Sequence, residues 1–135
     1  MNTIDEDKYG QITHDVAKKC LRMNWFPATG EMTAEEFKRT LTVAADAALA
    51  HGVESILVDT RDFRPNPALE DLCAWRVENI VPKYNQVLKR FAWITGAELS
   101  QLPGGGDSFQ NAGETYQSRF FREEAAAIAW VTTSA

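Results

Sequence analysis

The densest group of chemically capable residues is Asp59-Thr60-Arg61-Asp62-Phe63-Arg64-Pro65-Asn66, which follows the apolar run Ser55-Ile56-Leu57-Val58. In an open parallel sheet, ligands collect beyond the carboxyl ends of the strands, so a loop in this position is the first place to look for a site. Asn66-Pro67 reads as an N-cap with proline at the first helical position, and Glu70 and Asp71 set negative charge against the positive end of that helix. Unpaired donors at such a terminus, with Arg61 and Arg64 close by, suit an anion such as a phosphate or carboxylate. The same residues equally suit local structure, with Asp59 and Asp62 bonding loop amides and the arginines pairing with them. Phe26, Phe63, Trp75 and Tyr84 fall in or near the same loops and the helix that follows. They either wall a pocket for an apolar ligand or supply buried area to a core or interface.

Other chemistries find less support. His14 and His51 are the only histidines. Neither has a serine or cysteine nucleophile placed beside it, and His51 near a helix end is accounted for by the helix dipole. Cys20 and Cys73 lie far apart within apolar patterns and lack the paired spacing of zinc or redox motifs, which makes them buried free thiols. No metal, cofactor or catalytic residue is expected. Gly104-Gly105-Gly106 lacks the lysine and spacing of a phosphate loop and reads as a mobile connection.

These residues need a scaffold, and the hydrophobic pattern supplies one. Residues 9 to 16 and 19 to 26 alternate as two strands joined by a turn at Ala17-Lys18-Lys19, with Leu21, Met23 and Trp25 on one face and Cys20, Arg22 and Asn24 on the other. Thr33-Ala34-Glu35-Glu36 has the form of a capping box and opens a helix whose Phe37, Leu41, Ala44, Ala45 and Ala48 share a face, closed by His51-Gly52. The unalternating run 55 to 59 suits a strand covered on both sides at the centre of a parallel sheet. A second helix follows, with Leu69, Leu72, Cys73 and Ile80 inward, and Pro82 should hold Val81 extended and stop or kink it. Further strands are expected at 87 to 95 and 115 to 121, a weak helix at 97 to 102, and an alanine-rich closing helix at 122 to 131. Strands alternating with helices give an α/β domain whose mixed, mostly parallel sheet is flanked by helices and preceded by an antiparallel hairpin.

The 135 residues suit a single domain spanning 1–135, with residues 1–8 a frayed acidic start. A composition of 44% hydrophobic and 24% charged residues excludes disordered, collagen-like and disulfide-scaffold classes. Acidic residues outnumber basic ones 19 to 14, which argues against nucleic acid and against acidic lipid surfaces. The start has no basic region followed by an apolar one, and no stretch approaches a membrane span, so a cytoplasmic location without integral membrane association is expected.

Three stretches carry a resemblance: Trp25-Phe26-Pro27-Ala28-Thr29 running into Met32-Thr33-Ala34-Glu35-Glu36-Phe37, then Ile56-Leu57-Val58-Asp59-Thr60-Arg61-Asp62-Phe63, and the ending Phe120-Phe121-Arg122-Glu123-Glu124-Ala125 to Ala129-Trp130. With them the chain resembles the SpoIIAA-like family of STAS/SEC14-type domains. The resemblance implies a sheet flanked by helices and a regulatory or binding module more than an enzyme. Its better understood relatives are switched by phosphorylation of a serine at the start of the helix after the central strand. The matching region here, Arg64-Pro65-Asn66-Pro67, has no serine or threonine, so that switch is not expected. The SEC14 side implies a small apolar or lipid-like ligand, and the STAS side a protein partner. The expected site is Asp59, Thr60, Arg61, Asp62 and Asn66 with Phe26, Phe63, Trp75 and Tyr84. The alternative is a small enzyme using Asp59, Arg61 and Asp62. Oligomeric state stays open, a homodimer included.

Overall fold

The computed structural model describes residues 2–64, 66–67, 72–95 and 113–132. Six strands, β1 (Asn2–Glu6), β2 (Gly10–Asp15), β3 (Cys20–Trp25), β4 (Ser55–Asp59), β5 (Arg90–Ile94) and β6 (Gln117–Phe121), lie side by side in sequence order. β1, β2 and β3 pair antiparallel, and β3 to β6 pair parallel. The mixed, mostly parallel sheet led by an antiparallel hairpin is therefore the fold that the residue pattern implies.

Among the described residues four α-helices flank it: α1 (Ala34–His51), α2 (Cys73–Asn79), α3 (Val81–Tyr84) and α4 (Glu124–Thr132). Side chains alternate along a strand, so the two faces can be read from β4. Ile56 and Val58 join Leu21, Met23 and Phe91 in a core shared with α1, Ile80 and Tyr84. Leu57 faces the other way and joins Cys20, Ala92 and Ile94 beneath Ala127 and Val131 of α4. The result is three layers, with α4 alone on its side among the described helices.

Helix α1 forms where its signals stand. Thr33 accepts from the backbone N–H of Glu36 at 3.2 Å while the Glu36 carboxylate accepts from the Thr33 N–H at 3.0 Å, so two of the first-turn donors are satisfied. At the far end Gly52 takes φ +61° and returns its N–H to the Ala48 carbonyl, a conformation that a side chain would oppose. Ala44, Ala45 and Ala48 are fully buried, and their small size lets α1 lie close on the sheet.

Some sequence expectations need correction. Residues 2–6, expected to be frayed, form edge strand β1, held in place by Arg39 of α1 through Asp5 at 3.2 Å and Asp7 at 3.0 Å. Val81 is not extended: it begins α3, with Pro82 in the first turn where its missing N–H has no role. The helix after β4 is thus two pieces separated at Ile80. Cys20 is a buried free thiol as expected. The readings for Leu69, Glu70, Asp71, the weak helix at 97 to 102 and the glycine run fall outside the described residues, as does the Cys73 side chain.

Candidate functional site: two compartments at the carboxyl end of the sheet

The loop after β4 divides its residues between the two faces of the sheet. Asp59 has the same orientation as Leu57 and so meets α4, where it joins a cluster of two arginines and two carboxylates. Arg61 holds it through Nε at 3.0 Å and a second guanidinium nitrogen at 2.6 Å. Arg22 of β3 lies 3.8 Å from Asp59, donates to Asn24 at 3.0 Å and bonds Glu124 in the first turn of α4. Arg61 is also 3.8 Å from Glu124. Burial pushes the Asp59 carboxyl up, but the hydrogen bonds and charge of Arg61 and the charge of Arg22 outweigh it and hold the group below its usual value. Asp59 is thereby an anion locked in ion pairs, the opposite of a poised general acid.

The aromatic residues gather on the opposite face. Phe63 meets Trp25 edge-on at 5.6 Å and Phe37 at 6.4 Å, while Trp25 and Phe37 stack at 5.6 Å. Trp75 of α2 packs against the same core, with the Lys38 ammonium 5.6 Å above its ring. Phe37 and Phe63 are only partly buried, so this wall keeps apolar surface near solvent; Trp75 is partly buried on the same core. Trp25 and Phe37 are members that sequence reasoning assigned to a strand and a helix core. Their role beside Phe63 follows from the strand alternation that puts Trp25 on the face of Met23.

The remaining expected residues spread out. Thr60 fastens β4 to β5, its N–H and its hydroxyl both donating to the Ile94 carbonyl at 2.9 and 2.8 Å. Asn66 donates to the carbonyls of Thr29 at 3.2 Å and Met32 at 2.6 Å, which ties the loop to the turn before α1. Phe26 is half-buried at the start of that turn and donates its N–H to Tyr9 at 2.8 Å. Asp62 is exposed. Tyr84 is 1% exposed, enclosed by Phe91 and Tyr116, and burial drives its phenol far above the ordinary range; it belongs to the core and walls no site. The described part of α2 begins at Cys73 and shows no side-chain cap at Leu72.

Two features were invisible in sequence. His14 and His51 meet at the opposite end of the sheet, their ring centroids 4.5 Å apart and their planes tilted by 37°. Among the described residues no group of three or more His, Cys, Asp or Glu is placed to hold a metal. The second feature is Glu114, whose side chain is wholly buried beside Arg76, Tyr116 and Ser118.

An antiparallel hairpin feeding parallel strands between helices makes a mixed α/β module with a STAS-like fold, and no helix among the described residues is long and apolar enough to cross a membrane. Residues 24–132 match the SpoIIAA-like family model, and the chain belongs to that family. The family is one of regulatory or binding modules. No curated protein and no solved structure matches the chain.

Proposed function

We propose that this chain is a non-catalytic binding module that recognises a small apolar ligand, or the apolar side chains of a protein partner, at the aromatic wall of Trp25, Phe37, Phe63 and Trp75. The observation that carries the reading is the division of the loop after β4: Asp59 is consumed in ion pairs under α4, while Phe63 extends a half-buried apolar wall on the other face. A group held as an anion by Arg61 and Arg22 supports binding over acid–base chemistry. Regulation by a phosphorylated serine is absent from the proposal. No serine or threonine occurs from residue 61 to residue 73, and the Thr60 hydroxyl already donates to Ile94.

The test is a fluorescence titration with N-phenyl-1-naphthylamine, a neutral apolar probe, on the full chain and on Phe63→Ala and Trp75→Ala. Saturable binding that both substitutions weaken is expected. Absence of saturable binding in the wild type, or equal affinity in all three proteins, overturns the small-ligand form of the proposal.

A further inference from the structure

Helix α2 is attached differently from its neighbours. It has seven residues, too few to stand as an isolated helix, and no side-chain cap at its start. Its ladder to α3 is interrupted, because Pro82 has no N–H to give to the carbonyl of Glu78, and Ile80 between them sits at φ −108°, ψ −49°. α3 is anchored by buried Val81 and Tyr84, whereas most of α2 stays partly or fully exposed.

Arg76 supplies the polar attachment of α2 to the sheet. Its guanidinium lies 5.9 Å from the centre of the Phe91 ring, 3.4 Å from the Glu114 carboxylate and 3.5 Å from the Tyr116 hydroxyl. Glu114 is a fixed anchor: Asn85 accepts from the N–H of Thr115 at 2.9 Å and donates to the Gly113 carbonyl at 2.8 Å, so the backbone on both sides of Glu114 is pinned. The carboxylate itself is closed off from solvent and accepts from the Tyr116 hydroxyl at 2.9 Å and Ser118 at 3.4 Å. A carboxylate in that position requires a cation, and Arg76 brings it. Trp75, adjacent to Arg76 in the chain, turns the other way and lies under Lys38 of α1. One short helix therefore has an ionic tie to the segment leading into β6 on one flank and, on the other, Trp75, packed against the same core as Phe37 and Phe63.

We propose that α2 is a hinged wall of the aromatic site, latched through Arg76 to Glu114, so that the state of the latch sets the affinity of the site for an apolar ligand. The coupling rests on the binding function proposed above; the hinge does not. Since linkage is reciprocal, an occupant packed against Trp75 also strengthens the latch.

The experiment combines hydrogen–deuterium exchange with titration of N-phenyl-1-naphthylamine on the full chain, comparing wild type, Glu114→Gln and Arg76→Lys. Amides of residues 73–79 are expected to exchange about ten-fold faster in both variants while β3, β4 and β5 keep their protection, with a probe Kd raised about ten-fold. Probe added to the wild type should slow exchange in the same residues. Unchanged exchange in 73–79, or protection lost uniformly across the sheet, overturns the latch. Faster exchange with an unchanged Kd overturns the coupling. If the wild type binds no probe, the site and the coupling fall together, while exchange still decides the hinge. Should Glu114→Gln fail to fold, Arg76→Lys, which keeps the charge and loses the planar fork, decides the same questions.

Discussion

The imidazole rings of His14 and His51 meet in a tilted contact, centroids 4.5 Å apart and planes inclined by 37°, which fastens strand β2 to the last turn of α1. Across the sheet His14 faces Asn2 of β1 and Leu21 of β3, neither charged, and the charges that act on it are those of His51 and its neighbour Asp15. Burial first, and then the charge of His51, hold its pKa below the ordinary 6.5, with Asp15 opposing. The unfolded chain therefore takes up the proton more readily, and stability present in full above pH 6.5 is lost as the pH falls. The melting temperature of the wild type should drop more steeply from about pH 7 to pH 5 than that of His14→Gln. Parallel profiles would show that His14 takes up no proton on unfolding.

Two glycines should respond differently to alanine. Gly52 has φ +61° with nothing within 4 Å of an added Cβ, so Gly52→Ala meets only the backbone penalty, about 1 kcal/mol. A Cβ on Gly10 would stand 2.7 Å from the Asn24 carbonyl oxygen, and β2 must move away from β3 to admit it. Gly10→Ala should cost about 1–3 kcal/mol. Urea denaturation of both variants gives the order, and an equal or reversed one contradicts the close strand approach.

Within the ion cluster, exposure ranks the arginines. The Arg61 side chain is 46% exposed and that of Arg22 is 21% exposed. Arg61→Ala should cost at most about 1 kcal/mol, because solvent screens its pair. Arg22→Ala removes bonds to Asn24, Asp59 and Glu124 from a better enclosed position and should cost about 1–3 kcal/mol. Equal losses in denaturant melts would place the weight of the cluster in the loop instead of beneath α4.

Cys20 lies beneath α4 with 6% exposure, and burial pushes its thiol above the usual value. Its reaction with a water-soluble disulfide reagent should be slow in the native protein and fast in denaturant. In a Cys73→Ala background, rapid native labelling would mean that α4 opens readily from the sheet.

How much of this was legible in the residues depended on range. β2 and β3 alternate, α1 has both its capping box and its terminal glycine, and β4 is an unbroken apolar run; each signal lies within a few residues of the element it specifies. β1 escaped because an edge strand with a single inward residue, Ile4, shows no apolar pattern. The site was legible only in part. The alternation Ile56, Leu57, Val58, Asp59 already sends Asp59 away from the face of Val58, so its separation from the aromatic wall was readable. The partners Arg22 and Glu124, the histidine pair and the Arg76–Glu114 pair join residues distant in the chain, and only the packing of strands and helices brings them together.

Strand β1 also bears on how the molecules treat one another at high concentration. The last strand of an open sheet presents unpaired peptide groups, a template on which a neighbouring molecule's backbone can crystallise into a growing ribbon. Here that rim is made of Asn-Thr-Ile-Asp-Glu, and its register slips between Thr3 and Asp5, so the peptide spacing is out of step with any straight strand. An incoming copy offering the same rim meets carboxylates of its own sign. The least apolar strand of the fold thus acts as a terminator, keeping a surface built for pairing from propagating into a polymer.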